Sequence, residues 1–311
     1  MTRTRLEAPA WHLVPDLAPA EVTTVAVPGG DLAVARWGEG DDVVLLSHGI
    51  TANHVGFGHL ATLLAERGHR VYAPDHRGRG LSAGVGAPFG FARHAADLLA
   101  VADAAGADTF DLVGHSMGAF VAAALVEVAP ERVRRVVYVD GGVPLDLPVP
   151  EGTPVEVVLD AVIGPAMQRL SMRWDTVAEY VGFFRAHPAL TEWEDLLTAY
   201  VSHDATTDED GRVRSTVVAD AIRADMETNL ADDVGEAIRR TTVPGLWLWC
   251  DRGILADPPG LYGADKVARE AATMPHLEAR QVDGVNHYTI VLSEAGARAV
   301  ADALADAPTR A

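Results

Sequence analysis

Hydrophobic and polar positions follow three different rhythms along this chain. Residues 22–27 and 32–37 alternate on either side of Pro28-Gly29-Gly30-Asp31, the period of strands joined by a hairpin turn. Val43, Val44, Leu45 and Leu46 are apolar in succession, as in a parallel strand covered on both faces, and they run into His48-Gly49-Ile50-Thr51. A helical spacing follows at Leu60, Leu63 and Leu64, closed by Gly68. Residues 70–73 predict the next strand, which leads to Pro74-Asp75-His76-Arg77-Gly78-Arg79-Gly80-Leu81-Ser82. A helix near 91–105 precedes the apolar run Asp111-Leu112-Val113, and residues 136–139 form a further strand ending at Asp140-Gly141-Gly142. Strand and helix alternating in this way predict a doubly wound, mostly parallel α/β sheet with right-handed crossovers.

The rhythm breaks between 143 and 233. This stretch opens with Pro144, Pro148, Pro150 and Pro154, shows no strand period, and concentrates Trp174, Tyr180, Phe183, Phe184, Trp193 and Tyr200 at helical spacings. It reads as a helical lid inserted into the α/β core, which divides the chain into 1–142, 143–233 and 234–311. The sheet resumes at 245–250, followed by a helix near 266–274, a strand near 277–282, Gly284-Val285-Asn286-His287-Tyr288-Thr289 and a last helix from Ser293. Residues 1–20 read as an irregular lead-in.

Composition changes the picture only by exclusion. With 311 residues, 49% hydrophobic and 22% charged, the chain is long enough for one large soluble domain with an insertion. A net charge of −19 argues against nucleic acid or an anionic membrane as partner, and the partner expected is a small-molecule substrate. The oligomeric state is not readable. Cys250 is the single cysteine, so no intramolecular disulfide can form and a reducing, cytoplasmic setting is expected. Met1-Thr2-Arg3-Thr4-Arg5-Leu6-Glu7 lacks the apolar segment of a secretory signal, and no stretch approaches the ~18 apolar residues of a membrane span.

The chemistry centres on Gly114-His115-Ser116-Met117-Gly118, set between the apolar run and the small-residue helix that begins at Ala119. A serine at the tip of so sharp a turn is lifted above the sheet, and the helix start behind it aims N–H groups at whatever the serine attacks. His48-Gly49, Asp75-x-Arg77-Gly78-x-Gly80-x-Ser82, the Gly114–Gly118 elbow and Asn286-His287 stand in order, each at the C-terminal end of a strand. Together these motifs resemble the α/β-hydrolase superfamily, over roughly residues 22–142 and 243–305.

The resemblance implies a cofactor-free serine hydrolase of the esterase or lactonase kind. Ser116 is then the nucleophile and His287, on the loop after the final strand, its base. For the acid, the commoner arrangement uses the loop after strand 245–250. Gly253 stands where that aspartate is expected, Asp251 falls two residues early and Asp257 four late. A second arrangement places the acid after the strand that follows the elbow, where Asp140 stands. Asp140 is preferred, with Asp251 as the alternative. The N–H groups of Ile50 and Met117 are the expected oxyanion hole. His48, His115, Trp174, Tyr180, Phe183, Phe184 and Tyr288 are the candidate pocket residues, with His48 and His115 orienting loops. Asp75 and Arg77 suggest a structural charge pair. No His, Cys, Asp or Glu cluster has metal-ligand spacing, and no G-x-G-x-x-G follows a strand, so neither metal nor nucleotide cofactor is expected. Epoxide hydrolases and haloalkane dehalogenases of this fold require Asp at position 116, which Ser116 excludes. Perhydrolase or haloperoxidase chemistry and C–C bond hydrolysis use the same constellation. A non-catalytic receptor binding a small apolar ligand under the lid is the reading of another class.

Overall fold

The computed structural model describes residues 10–146, 150, 152–230 and 232–310. Its core is one eight-stranded sheet. Strands β1 (Glu21–Val27), β2 (Gly30–Trp37), β3 (Asp42–Ser47), β4 (His69–Pro74), β5 (Phe110–His115) and β6 (Val133–Val139) come from the first half of the chain. Between them lie helices α1 (Gly58–Glu66), α2 (Phe91–Ala104) and α3 (Met117–Val128). The second half adds α4 (Val155–Ser171), α5 (Val177–Arg185), α6 (Asp195–His203), the short strands β7 (Ala205–Thr207) and β8 (Val213–Ser215), α7 (Ala219–Leu230) and α8 (Asp232–Arg240). It closes with β9 (Gly245–Trp249), α9 (Ala264–Thr273), β10 (Leu277–Gln281), α10 (Thr289–Leu292) and α11 (Glu294–Asp306).

The sheet order is β1-β2-β4-β3-β5-β6-β9-β10. Strand β2 is antiparallel to both β1 and β4, and the other neighbours are parallel. Each central strand divides its apolar residues between two faces, because successive side chains point to opposite sides. Val44 and Leu46 pack with Leu60, Leu64, Val300 and Leu304 of α1 and α11. Val43 and Leu45 pack with Leu98, Val101, Val121 and Leu125 of α2 and α3. Two hydrophobic cores therefore sandwich the sheet, which is why these strands read as unbroken apolar runs rather than alternating ones. Among the described residues, no helix is long and apolar enough to cross a membrane.

Three elements differ from the sequence expectation. The stretch expected to lack strands contains the antiparallel pair β7–β8, in register Ala205 with Ser215. A side-chain turn shapes it, since the Asp208 carboxylate accepts the N–H groups of Asp210 and Arg212 at 3.1 and 2.8 Å. Three residues per strand are too few to print a period. The boundary expected after 233 falls inside α8, whose Ala237 and Ile238 belong to the core on the α3 side of the sheet. The lead-in is ordered where it is described. Trp11 is buried, packs edge-on against Trp37 at 5.7 Å between ring centroids, and donates from Nε1 to His54. Residues 1–9 and Pro148 of the proline run lie outside the described residues.

Candidate active site

Strand β5 ends at His115 and α3 begins at Met117, so Ser116 alone makes the turn, with φ 56° and ψ −122°. A non-glycine residue in that region stores strain that the surrounding packing must hold. The packing is tight, because a Cβ on Gly118 would lie 2.0 Å from the carbonyl oxygen of Ser47. Only glycine lets α3 cross β3 this closely.

A second tight approach brings the end of β6 to the elbow. Asp140, the residue after β6, has φ 44°, and its N–H donates to the Leu248 carbonyl of β9 at 2.7 Å. A Cβ on the next residue, Gly141, would stand 2.2 Å from the Ser116 carbonyl oxygen. The acid loop is thus pressed against the nucleophile turn.

His287 lies on the loop between β10 and α10. Asn286 shapes that loop: its side-chain oxygen accepts the N–H groups of Tyr288 and Thr289 at 2.9 and 3.0 Å, and its amide donates to the Ala189 carbonyl at 2.9 Å. The His287 N–H donates to the Arg252 carbonyl at 3.1 Å, while its carbonyl accepts from His115 Nε2 at 2.8 Å. With its backbone held on both sides, the imidazole spans two groups. Its Nδ1 is 2.7 Å from Asp140 Oδ2 and its Nε2 is 3.1 Å from Ser116 Oγ. Asp140 is fully buried, and its other oxygen accepts the Cys250 N–H at 3.4 Å. A carboxylate at Nδ1 requires the proton there, which leaves Nε2 as an acceptor for the Ser116 hydroxyl.

The alternative acids point elsewhere. Asp251 and Asp257 are both exposed, on a loop closed by the Gly253 N–H donating to the Asp257 carbonyl at 3.1 Å. The carboxylate beside His287 belongs to Asp140.

Ile50 and Met117 both line the pocket that opens on Ser116. A Cβ on Gly49 would lie 3.2 Å from Ser116 Cβ, so the chain entering Ile50 runs alongside the hydroxyl. Met117 opens α3, and N–H groups of a first helical turn have no acceptor within the helix. His48 donates from Nδ1 to the Gly49 carbonyl at 2.8 Å and accepts the His76 N–H at Nε2 at 2.9 Å. Burial pushes the pKa of His48 and of His115 down to about 3, so both are neutral hydrogen-bonding struts.

The cavity above Ser116 encloses about 110 Å³ and is walled by Phe57, Phe91, Phe120, Leu145, Met226 and Val291, with Tyr200 and Tyr288 beside them. Among the described residues, those lining it include no lysine, arginine or glutamate, and their one carboxylate, Asp140, faces His287. The sequence reading missed the phenylalanines. Phe120 was within reach of it, since a residue four positions after Ser116 lies one turn along the same helix.

Trp174, Tyr180, Phe183 and Phe184 require a correction, because they do not line this cavity. They pack on one another instead, with ring centroids 4.6 Å apart for Trp174–Tyr180, 5.6 Å for Trp174–Phe183 and 5.3 Å for Tyr180–Phe184. Trp174, Tyr180 and Phe184 belong to a core beneath α5, α6 and the β7–β8 hairpin, with Val181, Val201 and Val213, whereas Phe183 is exposed at its edge against Trp174. Helical spacing reports that residues share a face but not what the face covers.

The expected Asp75–Arg77 pair also resolves differently. Arg77 forks onto Asp97, with Nε and Nη2 at 2.7 and 2.9 Å from its two oxygens. Asp75 accepts four bonds: the N–H groups of His54 and Leu81, each at 2.8 Å, and the rings of His54 and His203 at 2.8 and 2.9 Å. The fold thereby gathers His54, Asp75 and His203, three buried potential metal ligands that no sequence spacing announced. Four donors use the lone-pair directions of the Asp75 carboxylate, while His203 Nδ1 is buried with no hydrogen-bond partner.

A sequence model of the alpha/beta hydrolase fold family matches residues 42–233. The chain is similar to a serine hydrolase-like protein of Dictyostelium discoideum, 34% identical over 124 residues, which are 39% of this chain and 34% of that one. It is similar also to the N-formylmaleamate deformylase of Pseudomonas putida, 40% identical over 109 residues, 34% of this chain and 39% of the relative. The match thus spans well under half the length of these curated relatives. Among solved structures, E-2-(acetamidomethylene)succinate hydrolase superposes with a TM-score of 0.73 over 91% of this chain and 99% of that one, at 22% identity, a likeness of fold.

Proposed function

We propose a serine hydrolase mechanism for this chain, which belongs to the alpha/beta hydrolase fold family: cleavage of an uncharged carboxylic ester or lactone through an acyl-enzyme. The observation that carries the reading is the continuous line from Ser116 Oγ to His287 Nε2 at 3.1 Å and from His287 Nδ1 to Asp140 Oδ2 at 2.7 Å. Ser116 attacks the carbonyl carbon while His287 takes the hydroxyl proton, and Asp140 holds the imidazole in the required tautomer and stabilises its cation. The tetrahedral oxyanion is received by the N–H groups of Ile50 and Met117, a contribution of about 3 kcal/mol per donor. His287 then protonates the leaving alcohol. In the second half-reaction it activates a water that releases the acid.

The cavity supports the substrate class. A carboxylate or phosphate in the substrate would meet no counter-charge among the described lining residues and would lose its hydration there. Engineered apolar cavities of ~150 Å³ hold a benzene molecule, so about 110 Å³ suits a short acyl chain or a small ring. The test is a panel of p-nitrophenyl esters of increasing chain length beside aliphatic and macrocyclic lactones. We expect a burst of p-nitrophenol equal to the enzyme present and kcat/KM highest for short neutral acyl groups. Undiminished turnover in Ser116→Ala, or equal turnover across all chain lengths and lactones, would overturn the acyl-enzyme or the pocket assignment respectively.

A further inference from the structure

Arg79 lies on the loop after β4, its side chain wholly buried, and the mechanism above gives it no role. Its guanidinium nevertheless touches both residues assigned to the oxyanion hole. Nε donates to the Ile50 carbonyl at 2.9 Å, and Nη2 lies 3.8 Å from the Met117 sulfur. Nη1 donates to the Arg77 carbonyl at 2.8 Å, and Nη2 also donates to Asp225 of α7 at 2.5 Å. Asp225 is equally buried and fixed in turn, its other oxygen accepting the Gly90 N–H at 2.8 Å and His94 Nε2 at 3.0 Å. The next residue, Met226, lines the substrate cavity and packs in one cluster with Ile50.

We propose that Arg79 is a positioning residue for the oxyanion hole, and that its ion pair with Asp225 keys the hole to the α7 wall of the acyl pocket. The inference rests on the serine hydrolase reading. A planar fork with donors in fixed directions can hold a carbonyl, a carboxylate and a thioether in one geometry, which a lysine cannot. The Ile50 carbonyl belongs to the peptide that follows the Ile50 N–H, so fixing it sets the backbone torsion that aims that donor. Both ends of the pair are buried, so the contact has no solvent-exposed alternative and the coupling is stiff. Other bonds seat the same loop on the same segment: the Gly80 N–H donates to Thr216 Oγ1 at 3.1 Å and the Val218 N–H to the Gly78 carbonyl at 2.9 Å.

The test compares wild type with Arg79→Lys and with the charge-neutral pair Arg79→Gln/Asp225→Asn, which leaves no lone buried charge. Active sites are titrated with a fluorophosphonate, folding is checked by circular dichroism, and kcat and KM are measured on p-nitrophenyl acetate. Affinity for a trifluoromethyl ketone, whose hemiketal oxyanion occupies the hole, is measured in parallel. We expect kcat per titrated site to fall at least tenfold with KM within twofold, and ketone affinity to weaken by a similar factor. A purely structural role would lower the thermal midpoint while leaving kcat per titrated site and ketone affinity within twofold of wild type. That result in either folded variant overturns the proposal. A wild type that does not titrate at Ser116 overturns both this proposal and the reading it rests on.

Discussion

Asp140 Oδ2 stands 2.7 Å from Nδ1 of His287, although the two residues come from opposite halves of the chain and from the ends of non-adjacent strands. Strand β9 lies between β6 and β10, and its last turn supplies contacts to both: the Cys250 N–H to Asp140 and the Arg252 carbonyl to His287. The residues after β9 thus scaffold the pair. Asp140→Asn keeps the shape but favours the wrong imidazole tautomer, so kcat should fall about 10³- to 10⁴-fold in steady-state assays. Asp251→Asn, at an exposed position, should stay within twofold.

Glycines in this chain divide by what surrounds them. Gly118→Ala would drive a methyl group to 2.0 Å from backbone that cannot yield, and should cost ~3 kcal/mol or more in urea unfolding. Gly182 lies exposed within α5 and meets nothing within 4 Å. Gly182→Ala should stabilise by up to ~1 kcal/mol through helix propensity. Equal effects would contradict the account of the elbow.

Buried histidines set the response to acid. His48 and His115 have pKa values of about 3 in the fold, against about 6.5 in an unfolded chain. Between those values the unfolded state binds protons that the folded state refuses, so stability rises with pH across the window and is lost as pH falls from about 6.5 toward 3. His54, His76 and His94 are shifted the same way by burial. Two such groups alone give a slope of about 2.7 kcal/mol per pH unit near pH 5. Urea titrations at pH 7.5, 6.5 and 5.5 should show it, and His115→Gln should remove about one proton from the slope. A flat profile would contradict the neutral assignment.

Substrate selectivity should follow the cavity wall and ignore the aromatic core beside it. Met226→Ala enlarges the cavity and should move the preferred p-nitrophenyl ester toward longer acyl chains. Phe183→Ala, a partly exposed position outside the cavity, should leave the chain-length profile unchanged and alter only stability.

What could be read without coordinates depended on whether a feature was local. The sheet strands announced themselves because burial on both faces leaves unbroken apolar runs, as in Val43–Leu46. The elbow was legible because a turn that only glycine can flank writes its own spacing. Asp140 was one of three candidate acids until the fold set it beside His287, since strand adjacency across β9 has no sequence period. Trp174, Tyr180 and Phe184 misled for a related reason: helical spacing marks a buried face, and that face covers α6 and the β7–β8 hairpin rather than the cavity. The Asp75 hub and the Arg79–Asp225 pair join residues far apart in the chain and leave no local trace at all.

The central claim is that Ser116 is a nucleophile activated by His287 and Asp140. Fluorophosphonate labelling read by mass spectrometry, on wild type, Asp140→Asn and Asp251→Asn, tests it most directly. The account predicts rapid modification at Ser116 in wild type and Asp251→Asn, and strongly slowed modification in Asp140→Asn. Absence of labelling at Ser116 in wild type, or loss of labelling in Asp251→Asn alone, would contradict it.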